Sequence, residues 1–334
     1  MSEGRLKNLV PAVLTIFWAL AAKGVGENNP PDPLTLLQIS LAPKVAYTCK
    51  VVVTAWHSPK GDTALLREWR LPDGRYRIEY LAPKRLRGTV LVSDGKRRWR
   101  LVNGQALWDL SFKDLPTKRW DLLRRNYRLS KPRPVTVLNR KAWLVEVQPR
   151  AKGKPHHRFW LDAEHGIVLK HELHRSDGMP LAFTIVTDLH FLPHKRIPAS
   201  LFAVPRKARK SEVRLLSADE LQQRWHIRLP NKLPFGFVLE QVEEASVRLR
   251  QPVLHATYTD GLLYLSLFAL SGDLTFPLPF SRFPMERWRK GGYTFLLIGG
   301  VDKPLLKQIA ASLRLGDEPE NQHRKQQQSA DDEG

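Results

Sequence analysis

The sequence has one cysteine, a short apolar run in place of a long one, and none of the common catalytic motifs. The single thiol, Cys49, cannot form an intramolecular disulfide, so the fold has to be stabilised by packing. The uncharged apolar run at residues 9–22 is shorter than the roughly 20 residues that span a bilayer. No P-loop, G-x-G-x-x-G, G-x-S-x-G or H-E-x-x-H sequence occurs. These absences predict a protein that is not an enzyme and has no cofactor.

Acidic residues are scarce as well. The chain has 33 Asp and Glu against 54 Lys and Arg, which gives a formal net charge of +21. Such an excess predicts an anionic partner or surface, which could be nucleic acid, anionic lipid or an acidic protein domain. A solvated basic surface without a dedicated partner is the alternative. The hydrophobic content of 42% is enough for real cores, so general disorder is excluded.

The first residues have the order of a secretory signal peptide. Arg5 and Lys7 precede the apolar run, and Ala19-Leu20-Ala21 and Gly24-Val25-Gly26 offer small residues for cleavage. We therefore expect a signal peptide over residues 1–26, with an uncleaved anchor helix as the alternative. No cysteine directly follows the run, so lipid attachment there is excluded. Export argues against nucleic acid as the target of the positive charge.

The remainder of the chain is patterned mostly as strands. Five β-rich runs between residues 45 and 102 are separated by short turns such as Pro72-Asp73-Gly74 and Asp94-Gly95, which predicts an antiparallel meander. A second group of strands follows between residues 135 and 191. We expect helices at the following positions: 34–41 with Asp32 as N-cap, 118–128, 217–225 behind a capping box, and 303–313 with Asp302 as N-cap.

These elements predict a β-rich α+β protein in several parts. We expect a large sheet domain over residues 34–205, a linker with a short helix over 206–229, and a smaller α+β domain over 230–316. The polar tail at 317–334 is expected to be disordered. Within the last domain, a proline-rich stretch at 276–289 is expected to be mobile.

Alternation in the meander predicts one charged face and one apolar face. Tyr76, Ile78 and Tyr80 alternate with charged residues, and Trp99 and Leu101 alternate with arginines. We expect these five apolar residues to face inward, with Arg98 and Arg100 facing outward. The residues predicted to line a hydrophobic ligand cavity are Tyr76, Ile78, Tyr80, Leu91, Trp99, Leu101 and Trp160.

Histidines raise the possibility of a metal site. His156-His157, His165, His171 and His174 lie close together in sequence. Positions 171 and 174 of one strand point to opposite faces and cannot chelate together, so no metal site is predicted. Basic stretches with interleaved tryptophans instead favour amphiphiles with phosphate or carboxylate heads, although the tryptophans could equally fill a core. These stretches are residues 96–100, 118–133, 140–154 and 195–210.

A hairpin is predicted near the end of the chain. Two β-rich runs, 253–259 and 262–270, are separated by Asp260-Gly261. An Asp-Gly pair between alternating runs is typical of a type I′ turn, in which both central residues have positive φ.

Several motifs, taken in order, resemble one family. Tyr258-Thr259-Asp260-Gly261-Leu262, with Leu265-Ser266-Leu267-Phe268, is similar to a motif of the C-terminal domain of the RseB/MucB family. Leu233-Pro234-Phe235-Gly236-Phe237 resembles the opening of that domain, and Phe159-Trp160-Leu161-Asp162 resembles a hairpin of the family's N-terminal domain. The meander at 75–101 looks like that of the LolA/LolB-type lipoprotein carriers.

This resemblance implies a large curved half-barrel, like that of the lipoprotein carriers, followed by a small α+β domain. It implies a non-enzymatic periplasmic regulator that binds the periplasmic domain of a single-span anti-sigma factor. Lipid, lipopolysaccharide or an acylated lipoprotein would be sensed in envelope stress, and nucleic acid would not be bound. We expect Tyr258, Asp260 and Gly261 to take part in partner binding. A periplasmic carrier of lipoproteins or lipids is the alternative, and a secreted hydrolase is a third possibility.

Overall fold

A computed structural model describes most of the chain outside its two ends. The described residues are 30–41, 43–56, 61–95, 98–102, 105–107, 119–193, 196–203, 213–245, 252–272 and 284–315. The predicted signal peptide at 1–26 and tail at 317–334 lie outside these ranges, as does half of the basic stretch at 195–210. Within them, no helix combines the length and apolarity needed to cross a membrane.

The described residues form two antiparallel sheets, which confirms the predicted β-rich α+β class. In the larger sheet, the strands run in the order β6-β5-β4-β3-β2-β1-β12-β11-β10-β9-β7, and β8 pairs with β9. Neighbours along the chain are mostly neighbours in the sheet, as the short turns predict. The strands are β1 (Tyr47–Ala55), β2 (Asp62–Arg70), β3 (Arg75–Ala82), β4 (Thr89–Asp94), β5 (Arg98–Val102), β6 (Gln105–Leu107), β7 (Tyr127–Leu129), β8 (Arg133–Val137), β9 (Arg140–Pro149), β10 (His156–Asp162), β11 (Val168–His174) and β12 (Pro180–Phe191).

One face of the large sheet, here called the inner face, is covered by two helices. These are α1 (Pro33–Leu41) and α2 (Trp120–Asn126). The Asp32 carboxylate accepts from the Thr35 amide at 2.8 Å, so the predicted N-cap of α1 is confirmed. Leu37 and Leu123 on these helices pack against Phe159 on β10 in one buried cluster. The helices are thus positioned by apolar contacts to the second half of the sheet.

The opposite, outer face is also packed at the far end of the sheet. Trp99 and Leu101 are buried there against Ile197 and Phe202, which belong to the segment that follows β12. A short 3-10 helix, Ala199–Phe202, lies in this segment.

The prediction that the meander has a single apolar face is therefore wrong. Leu91 pairs with Ile78 and with Arg100, whereas Trp99 pairs with Val92. Directly paired residues share a face, so Ile78 and Leu91 lie opposite to Trp99. Alternation within one strand cannot reveal this, because the turns between strands set the register that relates one strand's faces to the next.

Tyr76 and Tyr80 lie on the inner face with Ile78, whereas Leu101 lies on the outer face with Trp99. Arg100 was expected to face away from Ile78 but shares the inner face with it. The side chain of Arg98 lies outside the described residues.

The second sheet and its helices make up the smaller domain. Its strands run in the order β13-β15-β16-β17-β19-β18 within the described residues, and β14 pairs with β15. One face packs against α3 and α4 in a single buried cluster that includes Trp225, Tyr258, Leu297 and Ile309. The elements are β13 (Val213–Leu215), α3 (Ala218–Trp225), β14 (Lys232–Leu233), β15 (Phe237–Ala245), β16 (Val253–Thr259), β17 (Tyr264–Ser271), β18 (Met285–Lys290), β19 (Tyr293–Gly299) and α4 (Lys303–Leu315).

Two predictions for this domain have different outcomes. The capping box is confirmed, since Ser217 Oγ accepts from the Glu220 amide and the Glu220 carboxylate accepts from the Ser217 amide. The mobile stretch predicted at 276–289 is wrong in its last part, because Met285–Lys290 pairs with β19 as a strand. The alternation of Trp288 with charged neighbours is a strand signal that the prolines upstream obscured.

Candidate functional site

The hairpin loop between β16 and β17 differs from the predicted turn. Thr259 pairs with Tyr264, so four residues form the loop, and only Gly261 has a positive φ, of +100°. Asp260 supplies the reason, because its Oδ1 accepts from the amides of Leu262 at 3.0 Å and Leu263 at 2.8 Å. The hairpin is confirmed, and the type I′ geometry is wrong. The Asp260 carboxylate therefore holds a four-residue loop in place of the predicted two-residue turn.

The other oxygen of Asp260 reaches into the large domain. Its Oδ2 lies 2.5 Å from the Nζ of Lys154, in the turn between β9 and β10, and accepts from the Tyr127 hydroxyl at 2.7 Å. Lys154 also donates to the Phe235 carbonyl at 2.7 Å. The Lys154 and Asp260 side chains are only 1% and 0% exposed. We call Lys154, Asp260 and Tyr127 the interdomain latch.

Asn126 and two glycines complete the junction around the latch. The Asn126 side-chain amide donates to the Asp260 carbonyl at 2.8 Å and the Gly236 carbonyl at 3.1 Å. A Cβ at Gly261 would lie 2.4 Å from the Leu123 amide nitrogen, and one at Gly236 would lie 2.0 Å from Asn126 Oδ1. Glycine at both positions lets the small domain's backbone approach α2 closely.

A second contact joins the two domains further along. The Asp302 amide, at the start of α4, donates to the Gly153 carbonyl at 2.8 Å. The Asp302 carboxylate accepts from the Ser176 hydroxyl, in the turn between β11 and β12. The turn that carries Lys154 is therefore held by the small domain at two points, which fixes the relative orientation of the domains.

Burial dominates the electrostatics of the latch. It lowers the pKa of Lys154, while the attraction of Asp260 opposes that shift. Burial and the neighbouring Asp260 charge raise the pKa of Tyr127 well above its ordinary value, which keeps the hydroxyl protonated as a donor. The Lys154 ammonium also lies 4.5 Å from the centroid of the Phe237 ring. The buried charges therefore have partners on several sides.

The latch places the predicted partner-binding residues inside the molecule. Asp260 and Gly261 are buried against the chain's own large domain, and the Tyr258 hydroxyl donates to the Pro230 carbonyl at 3.1 Å. A role for these three residues in partner binding stays a prediction. Tyr127, Asn126 and Lys154 were missed, because no local pattern in the sequence links them to a turn more than one hundred residues away.

The residues predicted to line the cavity divide between the two faces. Tyr76, Ile78, Tyr80 and Leu91 lie on the inner face, where Ile78 and Tyr80 pack beside a cluster that joins β1 and β2 to β9 and β11. Trp160 lies on the outer face, and Lys170 sits 4.4 Å from its ring centroid. The structure does not bring Trp99, Leu101 and Trp160 together with the inner-face residues. Ligand binding by the inner-face residues stays a prediction.

The histidines form two pairs across β10 and β11. His157 Nδ1 lies 3.0 Å from His171 Nε2 on the inner face, and His156 stacks on His174 on the outer face with ring centroids 4.7 Å apart. The prediction that positions 171 and 174 point to opposite faces is confirmed. No group of three or more metal-ligating side chains occurs in the described part of the chain. Burial lowers the pKa of His171 to about 4 and that of His157 well below its ordinary value.

A hydrogen-bonded Ser–His–Glu arrangement in the small domain was not predicted. His255 Nδ1 lies 2.9 Å from Glu243 Oε1, and His255 Nε2 lies 3.0 Å from Ser266 Oγ. Ser266 is only 2% exposed, so its hydroxyl is shielded from a substrate. The network satisfies polar groups buried within the sheet. It arises from the hairpin register, which sets His255 opposite Phe268 and diagonal to Ser266.

Breaking the latch on one side should cost more than removing both charges. We expect Lys154→Met or Asp260→Asn alone to lower the free energy of unfolding by about 3–5 kcal/mol, because each leaves a buried charge without its partner. The double variant should lose less than the sum, with a coupling energy of about 1–3 kcal/mol. Urea denaturation measures all three. The exposed pair Lys50–Asp188, at 3.1 Å, is the matched control and should couple by less than about 1 kcal/mol. Additive effects at the latch would contradict this account.

The inner histidine pair should make stability depend on pH. The folded-state pKa of His171, about 4, lies below the unfolded value of 6.5. The unfolded chain therefore binds more protons between these values, and stability falls as pH drops from about 6.5 towards 4, by up to about 1.4 kcal/mol per pH unit for each histidine. We expect the double variant His157→Phe/His171→Phe to show a shallower acid slope in urea titrations. Equal acid slopes in the double variant and the wild-type protein would refute the claim that the buried histidine pair causes the pH dependence.

Comparison with known proteins places this arrangement in a family context. Residues 95–213 match the family model described as the MucB/RseB N-terminal domain. No curated protein sequence matches the chain. A crystal structure of MucB covers 84% of this chain and 97% of its own, with a TM-score of 0.59 and 20% identity.

Two structures of MucB in complexes also match this chain. A crystal structure of MucB in complex with MucA(peri) has a TM-score of 0.56, and a MucA/MucB complex from Pseudomonas aeruginosa has one of 0.52. Both are 20% identical to this chain, with the same 84% and 97% coverage. Residues 95–213 are thus similar to the MucB/RseB N-terminal domain family, and the chain has the fold of MucB over most of its length.

Proposed function

We propose that this protein is a non-enzymatic regulator that binds the periplasmic domain of a membrane-anchored anti-sigma factor. The observation that carries the proposal is the likeness to MucB across both domains, since MucB has been crystallised with MucA(peri) and shares 97% of its length with this fold. The buried polar junction supports it, because it makes the two domains one unit that can offer a partner a fixed surface.

The setting of this function is the periplasm. The basic residues, short apolar run and small residues of positions 1–26 have the order of an export signal. The single buried cysteine is compatible with an oxidising compartment, because it has no second thiol with which to pair.

The inner face offers a place for an amphiphile. Ile78, Tyr80 and Leu91 are half-buried there, and Arg100 lies directly across from Leu91 on the next strand. Apolar side chains beside a guanidinium suit an acyl chain with an acidic head. We assign lipid or lipopolysaccharide sensing to this row, in preference to the outer-face Trp99, Leu101 and Trp160.

Binding to the partner is tested by co-purification. We expect the full-length protein, co-expressed with the periplasmic segment of a single-span anti-sigma factor from the same organism, to elute with that segment as one complex in size-exclusion chromatography. The double latch variant Lys154→Met/Asp260→Asn reports whether a fixed domain arrangement is required and should bind more weakly. The regulatory proposal fails if the folded wild-type protein never retains the segment.

Sensing is tested by a matched pair of substitutions on opposite faces. Ile78→Asp on the inner face should abolish release of the partner by added lipopolysaccharide, because a carboxylate there opposes acyl insertion and an acidic head. Ile185→Asp, at a half-buried outer-face position, should leave release intact. Release is measured as the fraction of anti-sigma segment freed from immobilised protein. Equal effects of the two variants would remove the assignment to the inner face without affecting the partner proposal.

A further inference from the structure

One edge of the large sheet has exposed basic side chains, most of which have no acidic partner among the described residues. Residues 119–155 contain 11 Lys and Arg against 2 Asp and Glu, counted in the sequence. Arg140 and Lys154 in this segment are paired with Asp162 and Asp260. Eight others are exposed, and we call six of these the basic edge: Arg125, Arg128, Lys131, Arg133, Arg150 and Lys152.

Backbone pairing brings the basic edge together from separate stretches of chain. The Arg150 amide donates to the Asn126 carbonyl at 2.9 Å, next to Arg125. Arg128 pairs with Gln148 on β9. Arg133 pairs with Leu144, which lies two residues before Glu146 on the same strand. The cations therefore line the end of α2, β7, β8 and the turn after β9 as one border.

The contrast with the rest of the sheet shows that this border is unusual. Several other cations on the strands do have carboxylate partners, such as Lys50 with Asp188 at 3.1 Å and Arg77 with Glu79 at 2.7 Å. Within the basic edge, Arg133 reaches Glu146 at 3.6 Å, and the described residues contain no carboxylate bound to the other five. Unneutralised charge gathered on one border accounts for part of the net charge of +21.

We propose that the basic edge docks the protein on an anionic bilayer surface by binding lipid phosphates. Four of its six side chains are arginines, whose planar guanidinium groups bind phosphate oxygens in pairs. Pro132 and Pro134 lie within this border and remove backbone donors that an added peptide strand would need. An array of exposed cations without paired backbone contacts suits a plane of head groups better than an extended acidic peptide.

Docking of the basic edge on a membrane surface is separate from binding of the anti-sigma factor and from binding of an amphiphile on the inner face. Vesicle binding and binding of the anti-sigma segment are independent of each other. A protein that fails to bind vesicles can still bind the anti-sigma segment, and the co-purification experiment measures that separately.

Vesicle co-sedimentation tests the proposal directly. The full-length protein should bind vesicles of phosphatidylethanolamine with phosphatidylglycerol, should not bind phosphatidylcholine vesicles, and should dissociate as salt is raised. The triple variant Arg125→Gln/Arg128→Gln/Arg150→Gln should partition on the order of 100-fold less onto the anionic vesicles. All three positions are exposed, and circular dichroism checks that the variant remains folded.

The control removes the same charge from the other domain. Lys232, Lys303 and Lys307 are exposed there, and changing all three to Gln should leave most of the vesicle binding in place. An equal loss in the control would overturn the proposal in favour of net charge alone. Absence of wild-type binding to anionic vesicles would also overturn it, as would stronger binding of the basic edge to an acidic peptide such as polyglutamate.

Discussion

The buried ion pair between Lys154 and Asp260 is the interaction on which the two-domain structure depends. Removing both charges from water is costly, and the cost is offset only if every remaining lone pair and proton has a partner. Here the ammonium meets a carboxylate, a carbonyl and aromatic rings, while the carboxylate accepts from a lysine, a tyrosine and two amides. Because such partners exist together in only one geometry, the pair specifies how the domains meet.

Several features that look local follow from this constraint. Gly236 and Gly261 lie against Asn126 and Leu123, so the family-like motifs around them owe their glycines to a contact with the other domain. The short helix α2 contributes to the core of the large domain through one side and to the junction through another. Such a junction would favour the proposed binding of a partner, because a fixed domain arrangement leaves little ordering to be done on binding.

The sequence contains enough to predict the class of fold, the helix caps and the hairpin. Caps and turns depend on residues a few positions apart, so the sequence alone predicts Asp32 and Ser217 as N-caps and Gly261 as a turn residue. The two-faced packing of the meander was not, because the face of Trp99 relative to Ile78 depends on register between strands. The interdomain latch could not be predicted from the sequence either, because Tyr127 and Lys154 lie in one domain and Asp260 in the other. The motifs around Gly236 and Gly261 nevertheless indicated a resemblance to the RseB/MucB family, although they did not reveal the contacts of the latch.

The central claim is that the two domains behave as one cooperative unit. Native-state hydrogen exchange tests it at the amide of Leu263, which donates to Asp260, and at the amide of Asp302, which donates to Gly153. We expect both to exchange as slowly as the core amide of Leu297, through global unfolding alone. Exchange of Leu263 and Asp302 several orders of magnitude faster than Leu297 would show that the junction opens by itself and would contradict the account.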